Sequence, residues 1–200
     1  MTGVLGAPLS PRKHQILGEA CTLIARDGYA AFTMRAVARA SGLKLGALQY
    51  HYRTRDALLR ALAAFIAHEY HEGFDAFRVD SAKSSRGLHA LLDYMAVESI
   101  SASLQAHRLF PQLWAMAMVE PVMQELLDEI YATYLAFIED SLRILGVAEP
   151  RGDALLLMSM LEGLTLFVEP QRRWAADSDA VLEALHTLIE VRYGMQAGSA

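Results

Sequence analysis

The chain has few of the residues that staple or punctuate a small fold: one cysteine and six prolines in 200 residues, with only 20% charged. A single thiol, Cys21, closes no internal disulfide, which suits a reducing compartment. Its place in an apolar helical pattern reads as a small core residue rather than a redox centre. The hydrophobic share of 54% excludes a disordered chain, and the length suffices for a core without disulfide or metal. Long apolar runs are missing too. The longest, residues 154–168, is broken by Glu162 and falls short of the ~18–20 residues that cross a bilayer. The first nine residues lack a charged start and contain Gly3, Gly6 and Pro8, so they do not read as a secretory signal. A soluble, cytoplasmic protein is expected.

Catalytic signatures are also absent. There is no Gly-x-Ser-x-Gly elbow, no phosphate-cradling glycine loop and no Cys/His cluster. His68, Glu72 and Asp75 share one helix face beside His71, but the second His of an H-E-x-x-H site is missing, so a solvated face is the better interpretation. The expectation is therefore no enzyme, no cofactor and no metal, with a helical metalloenzyme as the weakest alternative.

What is present is an uneven charge. The net of −5 divides into eight basic against three acidic residues over 1–56, and ten against twenty over the remainder. Such asymmetry points to a nucleic-acid-binding end on a body of different purpose. Almost every segment repeats its apolar residues at the helical period, and none alternates as a strand. Ser10-Pro11 opens a first helix that ends at Gly28, Thr33 caps a second over 34–40, and a third covers 44–52. Thr54 caps a fourth helix burying Leu59, Leu62, Ile66, Tyr70 and Phe77. Residues 80–85 are the best linker. Further helices are expected over 86–105, 106–119 (bent or delayed by Pro111), 121–145 (ended by Gly146), 153–168 and 178–193. The fold class is all-α: about nine helices, a three-helix head with a helix-turn-helix on a larger helical body.

Residues 33–52 carry the chemistry. Met34, Val37 and Ala38 form a short apolar face, Gly42 permits a sharp turn, and Leu43 and Leu48 anchor the next helix. Lys44, Ala47, Gln49, Tyr50 and His51 then point outward, where a second helix enters the major groove. A plain helical hairpin would share much of this pattern. The crowding of Arg35, Arg39, Lys44, Arg53 and Arg55 without an intervening acid, interleaved with Tyr50, His51 and Tyr52, favours DNA.

Over residues 12–62 the sequence resembles the TetR family of bacterial regulators. Residues 30–39, AAFTMRAVAR, match its small-apolar-Thr-x-Arg-x-hydrophobic-Ala pattern. Gly42-Leu43 with residues 46–52, GALQYHY, match its recognition helix, and residues 54–59, TRDALL, match the start of its fourth helix. In the body, residues 113–117, LWAMA, followed by Pro121 resemble a segment of some members. The resemblance implies DNA contacts from Thr33, Arg35, Lys44, Gly46, Ala47, Gln49, Tyr50 and His51, with Arg35 reading a base and Arg55 meeting a phosphate. Four positions depart from the family: Gln49 replaces a common aromatic, Ala47 a phosphate-binding hydroxyl, Lys44 a capping Ser and Arg53 a Pro. These changes leave the operator sequence open.

The resemblance also implies residues 1–56 as the DNA-binding domain and 57–200 as an effector-binding and dimerisation domain. Effector contacts are expected from Tyr94, Met95, Phe110, Trp114 and Met118, and from Tyr131, Tyr134, Met158 and Phe167, although such stripes also build plain core. Phe137 belongs to the same apolar set. The effector is expected to be small and hydrophobic, while Glu98, Glu120 and Glu162 in apolar helices leave room for a cationic one. Pairing into a homodimer is expected through Leu155, Met158, Glu162, Gly163 and Thr165 on one helix and Val181, Leu185, Leu188 and Ile189 on the last. The implied function is a ligand-responsive regulator, a repressor on palindromic operator DNA. The alternative is a DNA-binding module without an effector.

Overall fold

The computed structural model describes residues 9–81, 88–91, 94, 106–168 and 172–193. These form helices joined by turns, with no strand among the described residues. Helix α1 (Pro11–Asp27) starts where the Ser10 side chain accepts from the Lys13 N–H, with Pro11 in the first turn. It ends at Gly28, whose φ of +82° and ψ of 167° suit only glycine. A short 3-10 turn, Tyr29–Ala31, follows. Thr33 caps α2 (Met34–Ala40) by accepting from the Ala36 N–H at 3.2 Å. Gly42, at φ +66°, turns the chain into α3 (Leu45–His51), and Thr54 caps α4 (Arg55–Ser81) through the Ala57 N–H.

Residues 88–91 and 94 are helical, and the rest of the helix expected over 86–105 lies outside the described residues. Helix α5 (Ala106–Ala117) continues through Pro111 without interruption. Helix α6 (Pro121–Ile144) closes at Gly146, φ +86°. Helix α7 (Pro150–Phe167) begins three residues before the expected 153, because Pro150 takes the first-turn position that Pro11 takes in α1. A 3-10 turn, Ala175–Asp177, leads into α8 (Ser178–Tyr193).

The described residues fall into two compact units, one within 1–76 and 100–130, the other within 77–99 and 131–200. The first unit thus extends past residue 56 and takes in α5 and the start of α6. Its core is built by Ile16, Leu17, Ala20, Cys21 and Ile24 of α1, all fully buried, packed against α2 and α5. Each fully buried Leu or Ile contributes on the order of 1.5–3 kcal/mol over exposure. Leu58, Leu62, Ile66 and Tyr70 of α4 are buried in the same unit, with Tyr70 edge-on to Phe110 at 5.2 Å. In the second unit Ile138 and Leu142 of α6 are buried, as are Ala154, Leu157 and Leu161 of α7 and Leu185 and Ile189 of α8. Asp153 holds Arg192 at 2.6 Å, tying α7 to α8. The His89 and His186 rings stack at 4.8 Å with their Nδ1 atoms 2.5 Å apart.

Candidate DNA-binding surface and effector region

Helix α3 is anchored by one side chain. Leu48 is fully buried and Tyr52 is buried just past the helix, where the Lys13 ammonium lies 5.9 Å from its ring centre. Burial pushes the Tyr52 phenol up to about 12, so it stays neutral. From α1, Arg12 donates to the Ser41 carbonyl at 3.3 Å and fixes the turn between α2 and α3. With Leu48 inward, the opposite face is left to solvent: Lys44, Gly46, Ala47 and Gln49 are exposed, and Tyr50 is 87% exposed. His51 is half-buried, edge-on to Tyr50 at 5.5 Å. Thr33 and Arg35 are exposed at the start of α2. The expected DNA-contacting residues of α2 and α3 therefore share one unit and are open to solvent, His51 in part.

Charge on this surface is of one sign where it counts. The acids are engaged: Asp27 with Arg26 at 2.7 Å and Asp56 with Arg60 at 3.0 Å. Arg35, Lys44 and Arg53 make no ion pair among the described residues, so their charge is available to a polyanion.

Arg55 is different. Its Nη1 donates to Glu120 Oε1 at 2.9 Å, and its Nη2 donates to the Tyr29 hydroxyl, which itself donates to Glu120. The guanidinium lies 5.5 Å from the Tyr29 ring centre and 5.6 Å from that of Phe32. Partial burial works against its charge, but the bonds to Tyr29 and Glu120 outweigh this and hold it above the ordinary range. The Glu120 carboxyl is held below its usual value, chiefly by the Tyr29 hydrogen bond and also by Arg55, against burial and the nearby Asp56. Gln112 of α5 adds a second tie, accepting from the Tyr29 N–H at 3.1 Å. Glu120, expected only as a partner for a cationic effector, is thus an internal partner of Arg55. No sequence signal announces this, since the two are 65 residues apart.

The residues expected at an effector site are divided between the two units. Tyr94, Tyr131, Tyr134 and Met158 belong to the second unit, whereas Phe110 and Trp114 belong to the first and lie 6.1 Å apart. Met118 is 85% exposed in the turn after α5, and Met95 lies outside the described residues. In the second unit, Phe77 stacks on Tyr94 at 4.6 Å and meets Phe137 edge-on at 5.6 Å. Tyr134 is buried within electrostatic reach of Tyr94, Tyr131 and Glu162, and desolvation first, then these neighbours, push its phenol up. Burial raises the Glu162 carboxyl to about 7 against the Tyr131 hydrogen bond that opposes it.

Glu162 therefore belongs to this aromatic cluster rather than to the outer face of α7 where a dimer contact was expected. Leu185 and Ile189, like Met158, are buried in their own unit, while Leu155, Val181 and Leu188 are 45%, 37% and 40% exposed. The Thr165 side chain lies outside the described ones. An open apolar groove runs along α7 and α8, lined by Gly163, Leu164, Phe167, Val181 and Leu188. A Cβ at Gly163 would meet nothing within 4 Å. Phe167, expected at an effector, is 55% exposed on this groove, 5.9 Å from Trp174. The exposed Leu156 and Val191 were missed, though 156-160-163-167 and 181-184-188-191 repeat at the helical three-four spacing.

Comparison with known proteins agrees with this geometry. Residues 16–62, from inside α1 into α4, match the family model of bacterial regulatory proteins, tetR family. This stretch, from α1 into α4, is similar to the amino-terminal domain of the TetR family. Solved structures share its fold along nearly the whole length. A TetR transcriptional regulator from Legionella pneumophila is 18% identical, with a TM-score of 0.68 over 92% of this chain and 98% of the other. A protein described as a TetR-family transcriptional regulator from Rhodococcus is 22% identical, TM-score 0.67, over 92% and 98%. One from Saccharomonospora viridis, described as a transcriptional regulator in complex with choline, is 20% identical, TM-score 0.74, over 92% and 98%. At these identities the likeness carries the fold. No curated protein matches by sequence. None of the described helices is long and apolar enough to cross a membrane.

Proposed function

We propose that the chain is a repressor that binds a palindromic operator as a homodimer and releases it when a small effector binds. In this reading residues 1–56 supply the DNA contacts, and residues 57–200 hold the effector and pair the subunits. The observation that carries it is the exposed face of α3, held from behind by Leu48 and flanked by Arg35, Lys44 and Arg53, which have no carboxylate partner among the described residues. A major groove about 12 Å wide admits one such helix. Gln49, Tyr50 and His51 face the base edges, Thr33, Gly46 and Ala47 let the backbone approach, and Lys44, Arg53 and Arg55 meet phosphates.

Anisotropy titrations at several salt concentrations, on genomic fragments selected by the protein and on unrelated duplex, test this. Lys44→Ala and Arg53→Ala should weaken binding to both DNAs and flatten the salt slope by roughly 0.9 for each phosphate no longer neutralised. Arg35→Ala should instead relax discrimination at one base pair, by about 1–3 kcal/mol. Equal losses from both kinds of variant would refute the division of roles, and no binding to any duplex would refute the reading.

The effector is small and hydrophobic, and Glu162 among Tyr131, Tyr134 and Tyr94 favours an organic cation within that class. The choline complex of the Saccharomonospora protein points the same way. Thermal-shift measurements with choline and with its uncharged carbon isostere, 3,3-dimethylbutan-1-ol, separate the possibilities. Stabilisation by choline that Glu162→Gln abolishes supports the cation, and equal stabilisation by the neutral alcohol supports a purely hydrophobic effector. No shift from either, or from a wider small-molecule set, leaves a DNA-binding module without an effector. Linkage requires that operator DNA weaken effector binding by the factor by which effector weakens DNA binding.

A further inference from the structure

We infer that Glu120 competes with DNA phosphate for Arg55, so that the corner between α5 and α6 sets how much of that arginine's charge the operator can use. This rests on the reading of Arg55 as a phosphate contact. Arg55 stands at the first residue of α4, beside backbone N–H groups of a helix amino end that also favour an anion. Yet its two terminal nitrogens are already given to Glu120 and Tyr29, and its face lies against two aromatic rings. A phosphate arriving here meets a guanidinium whose charge is offset by one carboxylate, with Asp56 adjacent but engaged by Arg60.

The pair is open to exchange. The Arg55 side chain is 42% exposed and that of Glu120 23%, and ion pairs so placed are worth little, equivalent to about 2- to 5-fold in a binding constant. Phosphate can therefore take the guanidinium at modest cost. Glu120 is also a joint in the backbone. Its N–H donates to the Met116 carbonyl of α5, and its own carbonyl accepts from Met123 and Gln124 of α6. A shift of either helix end carries the carboxylate with it, toward or away from Arg55. The Gln112–Tyr29 bond ties α5 to the same turn, so Tyr29 moves with the corner as well.

Glu120→Gln tests the competition because the amide keeps an oxygen that can accept from Arg55 and Tyr29 while losing the charge; an unchanged melting curve checks the fold. On unrelated duplex DNA the variant should bind about 2- to 5-fold more tightly than wild type. Its salt slope should steepen by up to about 0.9, one further phosphate. In an Arg55→Gln background the same change should do nothing, because the prize of the competition is gone. Equal or weaker binding by Glu120→Gln overturns the proposal. So does an equal gain in the Arg55→Gln background, which would mean only that one negative charge had left the neighbourhood. If Arg55→Gln by itself leaves affinity and salt slope at wild type, the phosphate role of Arg55 falls and takes the competition with it, whereas the contacts from α2 and α3 stand.

Discussion

Glu162 brings an ionisable group into the interior of the second unit, and burial raises its carboxyl from 4.5 to about 7. Between those values the unfolded chain has lost this proton while the folded one keeps it, so stability falls as pH rises through the window and levels off above it. Two to three pH units correspond to on the order of 3 kcal/mol. Glu162→Gln should therefore exceed wild type in stability by up to that amount at pH 8 and by far less at pH 5. Urea unfolding at the two pH values decides it, and an unchanged pH dependence would show that the group is not buried as described. Glu120 has the opposite sign: its lowered carboxyl adds stability above the ordinary carboxylate range, lost as acid protonates it. Cys21 belongs to neither case. Burial, aided by the nearby Glu69 charge, pushes its thiol far up, so native labelling by thiol reagents should proceed only as fast as the first unit opens.

The helix-turn-helix illustrates how little of a short element's stability is its own. Helices α2 and α3 have seven residues each, too few to persist alone in water. They depend on the Thr33 cap, the Gly42 turn and the buried Val37 and Leu48. Thr33→Ala should cost about 1 kcal/mol by removing the cap. Gly42→Ala should cost about the same through φ alone, since a Cβ there meets nothing within 4 Å. Thermal melts measure both, and a loss in neither would mean that the turn relaxes freely. These signals sit within a few residues of the elements they control, which is why α2 was legible in sequence to the residue and α3 to within one. The 3-10 turn Tyr29–Ala31 was not, because no turn residue marks it beyond Gly28. The early start of α7 was missed although Pro150 is the same signal as Pro11; Gly152 just behind it disguises a first helical turn.

At the scale of the molecule, the groove along α7 and α8 exposes Phe167, Val181 and Leu188, and Leu156 and Val191 are exposed elsewhere on the same two helices. A contiguous apolar surface of this kind is costly to leave in water. A second copy meeting it through a two-fold axis would form a four-helix bundle. Leu188→Glu should then shift the protein to a monomer in sedimentation and abolish tight operator binding, while weak binding to unrelated DNA and the melting profile of the first unit persist. A dimer surviving this change would move the interface elsewhere.

Read by itself, the sequence was enough to establish the all-helical class, the helices of the helix-turn-helix and the side of α3 that faces solvent. Each of these is written in contiguous signals: a cap, a glycine, a 3.6-residue period, a run of cations without acids. Partners across the chain were decided only by tertiary structure. It set Glu120 on Arg55, turned Glu162 inward to Tyr131, and buried Leu185 and Ile189 in their own unit while leaving Leu188 outside. The physical reason is that a helix such as α7 or α8 is apolar on more than one side. Periodicity reveals its stripes but not which neighbour each stripe meets, and a charge on one helix does not name the opposite charge that packing delivers to it.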